Sequence, residues 1–364
     1  MATLIMVIYD GLANAVFESQ VLVPLMRKAQ GYQRTLLVSF ERQPPCQQLL
    51  EGLKSKVPSI EFIIIKKLPY FGRISLWWTI WRLSRVNLGT DSLDMIARGP
   101  LAGYIALYLR KVALVGSLTI QARGLLAAEY DYAVQTRSLL ATLIKWARIR
   151  QLAFIERRVH TTLSQDVTIE AVSPALKEYL QDRYLCQSGR ITIAQHDDSE
   201  PLAPTIKNRW RAQLREQLDI TRAARVYCYS GSYKPWQCAT QTVAFFKHVH
   251  ELESSSVLLI LTPDTQAFQQ ELTSMPASAY RLLSVPSHDV LYYLSVADYG
   301  IVLREHHQLN WISRPTKYLE YRAAGLNIIH NDTVAYIIDD LRQAAATDVL
   351  WAQPEKQTPD HLHQ

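Results

Sequence analysis

The strongest constraint on the fold is a regular alternation of short apolar, β-branched runs with longer segments of helical periodicity. Such runs are typical of buried strands, and apolar residues spaced three or four apart indicate helices. A chain that alternates strand and helix folds into parallel sheets joined by right-handed helical crossovers. In the first half the predicted strands are 3–9, 34–40, 61–65, 93–97, 117–121 and 168–172, with helical patterns at 17–29, 104–112 and 132–163.

The alternation resumes in the second half, which predicts a second sheet with its own core. The predicted linker is the polar segment 197–204, which contains two prolines. A chain of 364 residues also exceeds the roughly 250–300 residues at which one core stops growing. We therefore predict an α/β protein with doubly wound, Rossmann-like domains at 1–198 and 199–345 and a tail at 346–364. The second set of strands is 225–230, 257–261, 280–285, 299–303 and 326–330.

Doubly wound sheets bind ligands at the carboxyl ends of their strands, so the loops that follow strands are searched first. The loop after 225–230 contains Gly231, Ser232 and Lys234. Glycine lets the backbone approach a ligand, lysine supplies positive charge, and the helix predicted to begin near Trp236 offers its amide end. This combination suits a diphosphate, and the alternative is an ordinary turn between strand and helix.

A short helix is predicted between residues 313 and 325, where the local signals agree. Ser313 or Thr316 can cap it, Pro315 fits its first turn, and Gly325 ends it. The amide end of this helix is expected to face a ligand and to attract phosphate oxygens.

Lys317 and Glu320 lie three residues apart on this helix and therefore share a face. A carboxylate in that position can accept hydrogen bonds from both hydroxyls of a ribose, because it has two acceptor oxygens. The alternative is an internal ion pair between the two side chains.

Four segments, in order, resemble the retaining family 4 glycosyltransferases of the GT-B fold. The stretch RPTKYLEYRAAGLNII is similar to the donor-site signature, YSGSYKPWQ to the phosphate loop, and VPSHDVLYYLSVADYGIVLRE to the segment that holds the nucleotide base. IEAVSPALKEYL is similar to the last strand and helix of the N-terminal domain. The resemblance covers nearly the whole chain and implies two domains facing a central cleft, the first binding the acceptor and the second the nucleotide sugar.

The resemblance also implies roles for individual residues of the second half. Glu320 is implied to bind the donor ribose, with Thr316 and Lys317 beside the diphosphate and Lys234 neutralising phosphate. The base is implied to be held by main-chain groups from Ser287 to Val290, and Arg304 and Glu305 are candidates for contacting phosphate or sugar. The predicted donor-binding residues are Gly231, Ser232, Lys234, Ser287, Val290, Arg304, Glu305, Thr316, Lys317 and Glu320.

The sequence departs from the family pattern at Ile312. Many members have two glutamates separated by seven residues, and the position that would pair with Glu320 is Ile312. A carboxylate that contacts the sugar is therefore missing or is supplied elsewhere.

In the first half, Gly11 and Asn14 follow the first strand and are predicted to face the acceptor. Arg98 and Arg123 each follow a strand within an Ala-Arg-Gly sequence, and similar segments occur in relatives. We predict that both arginines meet acceptor or donor phosphates; the alternative is that they hold their loops through hydrogen bonds to carbonyl groups. The predicted catalytic residues are Arg98, Lys234 and Glu320.

The formal net charge of +6 and the pI near 9.0 favour an anionic partner. The basic residues are scattered and form no recognised nucleic-acid-binding motif, so no nucleic acid is predicted. The segment from Lys66 to Arg82 is rich in aromatic and basic residues. This pattern is typical of contact with a membrane interface, and packing of a helix on a sheet explains its aromatic residues nearly as well.

No D-x-D motif and no zinc-type spacing of histidine or cysteine occurs, so no metal and no cofactor are predicted beyond a nucleotide-sugar substrate. The four cysteines are interpreted as buried thiols. A dinucleotide-binding G-x-G-x-x-G is absent after the first strand, which excludes a Rossmann dehydrogenase. The first apolar run lacks the flanks of a signal peptide, and no run approaches the ~20 residues of a transmembrane helix. These features predict a cytoplasmic protein that is at most peripheral at the membrane.

We therefore predict a metal-independent, hexosyltransferase-like glycosyltransferase that moves a sugar from a nucleotide sugar to a glycan or lipid-linked acceptor. The resemblance implies retention at the anomeric carbon and a role in assembling cell-surface polysaccharide or glycolipid. Two alternatives remain open. One is a catalytically weakened GT-B protein that binds nucleotide sugar or glycan as a partner subunit, as suggested by Ile312. The other is a nucleotide-sugar epimerase with the same fold.

Overall fold

The computed structural model describes residues 2–14, 17–69, 72–88, 93–111, 115–162, 166–185, 188–194, 200–344 and 349–350. Contacts between residues divide the chain into two units, Met1–Gln195 and His196–Gln364. The predicted boundary at 198 falls in the stretch 195–199, and both this stretch and the segment 351–364 lie outside the described residues. The acceptor and donor roles of the two domains remain predictions.

Unit 1 contains a sheet of seven parallel strands in the order β3-β2-β1-β4-β5-β6-β7. The strands are β1 (Thr3–Ile8), β2 (Arg34–Glu41), β3 (Ile60–Lys66), β4 (Leu93–Arg98), β5 (Val115–Ala122), β6 (Val167–Ala171) and β7 (Ile191–Ile193). The helices are α1 (Val23–Ala29), which follows a π-helical turn at Glu18–Leu22, α2 (Gln47–Lys56), α3 (Gly72–Ser84), α4 (Gly99–Leu109), α5 (Leu126–Ala133), α6 (Leu139–His160) and α7 (Pro174–Tyr184).

Unit 2 repeats the arrangement with six parallel strands in the order β10-β9-β8-β11-β12-β13. The strands are β8 (Val226–Ser230), β9 (Val257–Leu261), β10 (Tyr280–Leu283), β11 (Tyr299–Val302), β12 (Asn327–His330) and β13 (Val349–Leu350). The helices are α8 (Pro204–Gln217), α9 (Ala239–Leu252), α10 (Thr265–Glu271), α11 (Val290–Leu294), α12 (Gln308–Trp311), α13 (Thr316–Ala323) and α14 (Ala335–Gln343).

The predicted doubly wound α/β architecture is confirmed in both units, and each predicted strand matches an observed one to within two residues at either end. The strands are apolar on both faces because helices cover both sides of each sheet. Along β1, for example, Leu4 and Met6 enter one buried cluster while Ile5 and Val7 enter another. Strands β7 and β13, which were not predicted, are two short strands at sheet edges with too few residues to show a periodic pattern.

The long helix predicted over 132–163 is confirmed for 139–160 and is wrong at its N-terminal end. The chain instead forms α5, leaves the helical conformation at Val134, and restarts at Ser138, whose hydroxyl accepts a hydrogen bond from the Ala141 N–H at 3.2 Å. The cap stabilises the new helix by about 1 kcal/mol. Only the second half of α6 packs against the sheet, through residues such as Leu152 and Ile155, while its first turns are exposed.

Two smaller predictions have different outcomes. The predicted helix start at Ser173 and Pro174 is confirmed, because the serine hydroxyl accepts from the Leu176 N–H and proline occupies the first turn of α7. Cys228 and Cys238 are buried, but Cys46 is exposed just before α2, so the interpretation as buried thiols is wrong for that residue. Cys186 lies outside the described residues.

Close packing at the centre of the second sheet depends on Gly300 in β11. A Cβ atom at this position would lie 2.6 Å from Cγ of Tyr321, whose ring is fully buried against the strand. Glycine therefore lets α13 approach the sheet closely enough for its tyrosine to reach the neighbouring strand.

Replacing Gly300 with alanine is expected to lower the free energy of unfolding by about 1–3 kcal/mol, because the buried Tyr321 ring has no room to move aside. Chemical denaturation followed by circular dichroism measures the change. The matched control is Gly52→Ala in α2, where an added Cβ would meet nothing within 4 Å. That substitution is expected to stabilise the protein by about 0.5–1 kcal/mol. Equal effects of the two substitutions would contradict this account of Gly300.

Candidate functional site

The carboxyl ends of β8 and β11 form the centre of the candidate site in unit 2. These two strands are neighbours where the strand order reverses, with the preceding strands on one side and the following strands on the other. The loops that leave such a point run in opposite directions and open a crevice at the sheet edge. Gly231 follows β8, and Arg304 and Glu305 follow β11, so the fold brings these predicted donor-binding residues to the same edge.

The loop after β8 is held by side chains from its own strand and from the following turn. Gly231 has a φ of +135°, which only glycine adopts without strain. Tyr229 donates from its hydroxyl to the Ser232 carbonyl oxygen at 2.9 Å, and Gln237 donates to the Ser232 hydroxyl at 3.3 Å. The loop therefore has a defined shape, as a ligand-binding loop requires.

The helix predicted to begin near Trp236 starts later. A 3-10 turn at Pro235–Gln237 is followed by Cys238 in the left-handed conformation, and α9 begins at Ala239. Proline and the left-handed residue delay the start of regular helix because neither fits its interior. Lys234 precedes this turn with an exposed side chain, so its contact with phosphate stays a prediction.

Helix α13 begins and ends almost where the sequence predicts. It starts at Thr316, and Pro315 takes the capping position, so the prediction that Ser313 or Thr316 caps through its side chain is wrong. Gly325 has a φ of +63°, and the helix closes with hydrogen bonds from Leu326 N–H to the Tyr321 carbonyl and from Gly325 N–H to the Arg322 carbonyl. This pair of bonds is the Schellman motif, so the predicted glycine stop is confirmed.

Tyr321 fixes α13 against β8. Its hydroxyl accepts a hydrogen bond from the Ser230 N–H at 2.7 Å and donates toward the Cys228 carbonyl at 3.4 Å. Burial raises the pKa of this hydroxyl well above its usual value, so it stays protonated. The anchor sets the position of the residues one turn before it, including Lys317.

Lys317 is the cation that the fold brings to the β8 loop. The side chain is 7% exposed, its Nζ has no hydrogen-bond partner, and this atom lies 3.9 Å from the centre of the Tyr229 ring. A Cβ atom at Gly231 would lie 3.3 Å from the same Nζ, so the glycine makes room for the lysine. Burial, with the charge of Arg304 as a second cause, holds the pKa of Lys317 well below its usual range.

Arg304 adds a second buried positive charge. The residue is 8% exposed, its Nε has no hydrogen-bond partner, and burial lowers the pKa of the guanidinium. Its main chain is clamped by Asn331, whose amide oxygen accepts from the Arg304 N–H at 3.1 Å and whose amide nitrogen donates to the Arg304 carbonyl at 2.7 Å. Two buried cations close together are unfavourable unless an anion joins them.

Glu320 is half-buried on α13, and burial raises the pKa of its carboxyl while the charge of Lys317 opposes the rise. In the part of the chain that the structure describes, no salt bridge joins Lys317 and Glu320, so the internal ion pair considered as an alternative is not formed. The neighbouring Arg322 pairs with Asp340 instead. Neither Lys317 nor Glu320 therefore has a salt-bridge partner among the described residues.

The other predicted donor contacts occupy the same unit. Ser287 is exposed in a 3-10 turn, Ser287–Asp289, where its carbonyl accepts from the Val290 N–H, and Val290 is half-buried against the core. Glu305 is half-buried, and its carbonyl accepts from Asn310 at 2.9 Å. Thr316 is half-buried at the start of α13.

Ile312 is an apolar residue without a functional group to offer a ligand. The residue is buried in the apolar interior, 2% exposed, directly after α12. A carboxylate at this position would lose its hydration, so the isoleucine belongs to the core and offers no group to a sugar.

The residues predicted for the acceptor lie in unit 1, at the ends of β1, β4 and β5. Gly11 has a φ of +87° beside Glu41. Arg98 is buried and donates to the Gln20 side-chain oxygen at 2.7 Å and toward the Gln20 carbonyl at 3.4 Å, with Asp10 at 4.0 Å.

These contacts match the alternative in which Arg98 holds its loop. Arg123 donates to Gln121 at 3.2 Å, within its own strand end, and Asn14 accepts at its carbonyl from the Phe17 N–H. Contacts of Arg98 and Arg123 with phosphates stay predictions.

Sequence reasoning missed Tyr229, whose ring lies beside the Lys317 amine, and Asn331, which holds the main chain of Arg304. Tyr229 is a buried strand residue, so its pattern signals only core, and Asn331 directly follows β12. The signal that could have identified Asn331 is its position as a polar residue at the carboxyl end of an inner strand.

No protein-family model matches the chain, and no curated protein matches it. Solved structures do. A glycosyltransferase from Rickettsia africae matches with a TM-score of 0.62 at 12% identity, covering 93% of this chain and 81% of that chain. Sucrose-phosphate synthase from Thermosynechococcus elongatus matches with a TM-score of 0.64 at 14% identity, covering 97% and 86%.

A putative UDP-N-acetylglucosamine 2-epimerase from Listeria monocytogenes matches with a TM-score of 0.54 at 9% identity, covering 91% of this chain and 79% of that chain. At these identities the likeness concerns the fold. The chain therefore has the GT-B type of fold, with two Rossmann-like, doubly wound parallel sheets.

Replacing Lys317 with methionine is expected to raise the free energy of unfolding of the ligand-free protein by about 1–3 kcal/mol, because a buried cation without a partner is removed. The gain should shrink as the pH rises toward 10.5, the ordinary lysine pKa, since the unfolded chain then loses its proton too. Denaturant unfolding at two pH values measures both effects. Lys54→Met, at an exposed position of α2, is the control, and an equal gain there would refute the explanation.

Proposed function

We propose that this protein is a glycosyltransferase that uses a nucleotide sugar as donor. The observation that carries the proposal is the pair of buried cations, Lys317 and Arg304, beside the glycine loop at the reversal point of the second sheet. A diphosphate is the natural complement of two such charges, together with the first-turn amides of α13. The glycosyltransferase resemblance of the sequence supports the same assignment.

The proposed chemistry is departure of a nucleoside diphosphate as the sugar is transferred. Negative charge grows on the leaving oxygen, and charges already fixed in the protein stabilise it without moving. Lys317 lies over the Tyr229 ring, and the main chain of Arg304 is held by Asn331. The reaction is proposed to proceed with retention and without a metal. In the described ranges no group of three metal-ligating side chains occurs.

Glu320 is proposed to bind the ribose. It lies one turn after the start of α13, and its half-buried carboxyl lacks a salt-bridge partner within the described residues. A ribose that donates two hydrogen bonds would stabilise the charged carboxylate that burial otherwise disfavours. The base is proposed to lie near Ser287 and Val290, since α11 packs against α13.

A second candidate is a protein that binds a nucleotide sugar without transferring it. The buried Ile312 favours it, because the family's additional glutamate is missing there. Glu305, which follows the end of β11, is the carboxylate we propose as a substitute if the protein is active. An epimerase has no separate observation in its favour.

Nucleoside diphosphate binding is expected to weaken at least tenfold, or about 1.4 kcal/mol, when Lys317 is replaced with methionine. Glu320→Gln should weaken the nucleoside diphosphate but leave inorganic pyrophosphate unaffected, because only the former has a ribose. Isothermal titration calorimetry with UDP, GDP, ADP and CDP measures both effects. Glu251→Gln, at an exposed position of α9, is the control. Unchanged nucleoside diphosphate binding in both Lys317→Met and Glu320→Gln would contradict the proposed donor site.

A panel of nucleotide sugars, tested with and without acceptor glycans, separates the candidates. Transfer to an acceptor supports the transferase, and the anomeric configuration of the product reports retention. Binding without any turnover supports the second candidate. A changed sugar on the nucleotide, formed without acceptor, identifies an epimerase.

We propose a lipid-linked acceptor in preference to a free glycan, met at an anionic membrane surface. Helix α3 leaves Ile74, Trp77 and Trp81 exposed, and the first turns of α6 expose Leu139 and Leu140, which are 87% and 69% exposed. Exposed apolar groups of this size mark interaction surfaces, and tryptophan favours the membrane interface.

The charge of these helices complements anionic lipid. Neither α3 nor the part of α6 from Leu139 to Ile155 contains an acidic residue, whereas both carry lysine or arginine. Arg85 and Arg150 lie over the rings of Trp81 and Trp146, at 4.0 and 3.9 Å. Among the described residues no helix is long and apolar enough to pass through a bilayer, so the proposed contact is peripheral.

Binding to vesicles of phosphatidylcholine with phosphatidylglycerol is expected to weaken about tenfold or more when Leu139, Leu140 and Leu143 are all replaced with serine. Cosedimentation measures the bound fraction, and binding should also fall at high salt. Leu252→Ser, which removes a leucine exposed by 78% in unit 2, is the control. Equal binding by the triple variant and the control would count against contact through this face.

A further inference from the structure

Unit 1 contains a cavity of about 320 Å³ at the carboxyl ends of its first three strands. Tyr9, Arg42 and Lys67 directly follow β1, β2 and β3, and all three line the cavity. These strands are neighbours in the sheet and run about 5 Å apart, which brings the three residues together. Helices α5 and α6 contribute further lining residues, among them Glu129, Tyr130 and Arg148.

The cavity lining is rich in cations held at defined positions. Lys67 donates to the Tyr9 carbonyl and lies 4.3 Å from the centre of the Tyr9 ring. Arg148 lies 5.0 Å from the centre of the Tyr130 ring. With Arg42, the residues that line the cavity therefore include three positive side chains and one acid, Glu129.

The carboxylate of the nearby acid Glu41 is held by other groups, although its charge, with that of Asp10, favours the charged form of Lys67. Its carboxylate accepts hydrogen bonds from the Leu12 N–H at 2.8 Å and the Ser39 hydroxyl at 2.6 Å. Neither Arg42 nor Lys67 takes part in a salt bridge within the described part of the chain. Burial lowers the pKa of Lys67, the charges of Glu41 and Asp10 oppose this fall, and the charge of Arg42 adds to it. An anion in the cavity would further favour the charged lysine.

Glu129 does not prevent an anion from binding. Its carboxyl end is tucked against Gly124, and its burial together with the charge of Asp10 raises its pKa to about 7. In its protonated form this carboxyl carries no charge that would repel an anion.

We propose that this cavity binds a phosphate group. That the phosphate belongs to the acceptor rests on the proposed function, whereas phosphate binding itself does not. The group is either a soluble phosphomonoester or the phosphate of a membrane lipid, since both present the same oxygens to Arg42, Lys67 and Arg148.

Titration calorimetry with glycerol 3-phosphate tests the soluble source, and phosphatidylcholine vesicles with phosphatidic acid test the lipid source. Arg42→Met and Arg148→Met are each expected to weaken the bound probe by about ten- to a hundredfold. Glu129→Gln should strengthen binding above pH 7, where it removes a negative charge, an effect that a purely structural role would not produce. Lys54→Met and the donor-site variant Lys317→Met should leave the affinity unchanged.

Binding of either probe that depends on Arg42 and Arg148 supports the proposal and identifies the source. The proposal is overturned if neither probe binds, if both arginine variants bind normally, or if Lys317→Met abolishes binding, which would place the anion in unit 2. If the unmodified protein binds the phosphate probe but no nucleoside diphosphate, the proposed function is refuted and the cavity site remains supported.

Discussion

The hydroxyl of Tyr321, held between the Ser230 N–H and the Cys228 carbonyl, is the contact on which the candidate donor site depends. It fixes α13 at the end of β8, and the absence of a side chain at Gly300 lets the ring reach that far. The positions of the residues one turn earlier on α13 depend on this anchor. Lys317 is thereby held beneath Gly231 and over Tyr229, in a place where water does not reach its amine.

The candidate donor site contains basic side chains whose charged forms are disfavoured by burial. Lys317 and Arg304 are both buried, and the charge of Arg304 contributes to holding the pKa of Lys317 well below its usual range. Folding tolerates this because the apolar clusters on both faces of the second sheet contribute much more free energy than two strained cations remove. An anion would regain that energy on binding, which is how a protein fixes charges in advance for a leaving group.

Unit 1 also has cations at the carboxyl ends of its strands, supplied by different residues. Its first three strands are followed by Tyr9, Arg42 and Lys67, and Lys67 lies over the Tyr9 ring. The predicted acceptor residue Arg98 differs, because Gln20 and Asp10 already satisfy much of its guanidinium. Arginine after a strand is thus a weak predictor on its own, since the same residue can hold a loop or bind a ligand.

The sequence by itself determined the strands, their parallel pairing and the ends of α13, because apolar periodicity, glycine and proline act over a few neighbouring residues. It did not reveal the break before Ser138, because the residues on either side of the break continue a helical pattern. The exposure of the first turns of α6 depends on tertiary packing, which that pattern does not show.

The tertiary structure alone decided which groups lie beside each charged residue. From the sequence, Lys317 and Glu320 were compatible with ligand contacts or with an ion pair, and only the fold shows that Lys317 lies over the Tyr229 ring instead of pairing with Glu320. Arg42, Lys67 and Arg148 likewise share no local motif. Burial and pairing depend on what the fold brings near from elsewhere, and a local pattern carries no record of those neighbours.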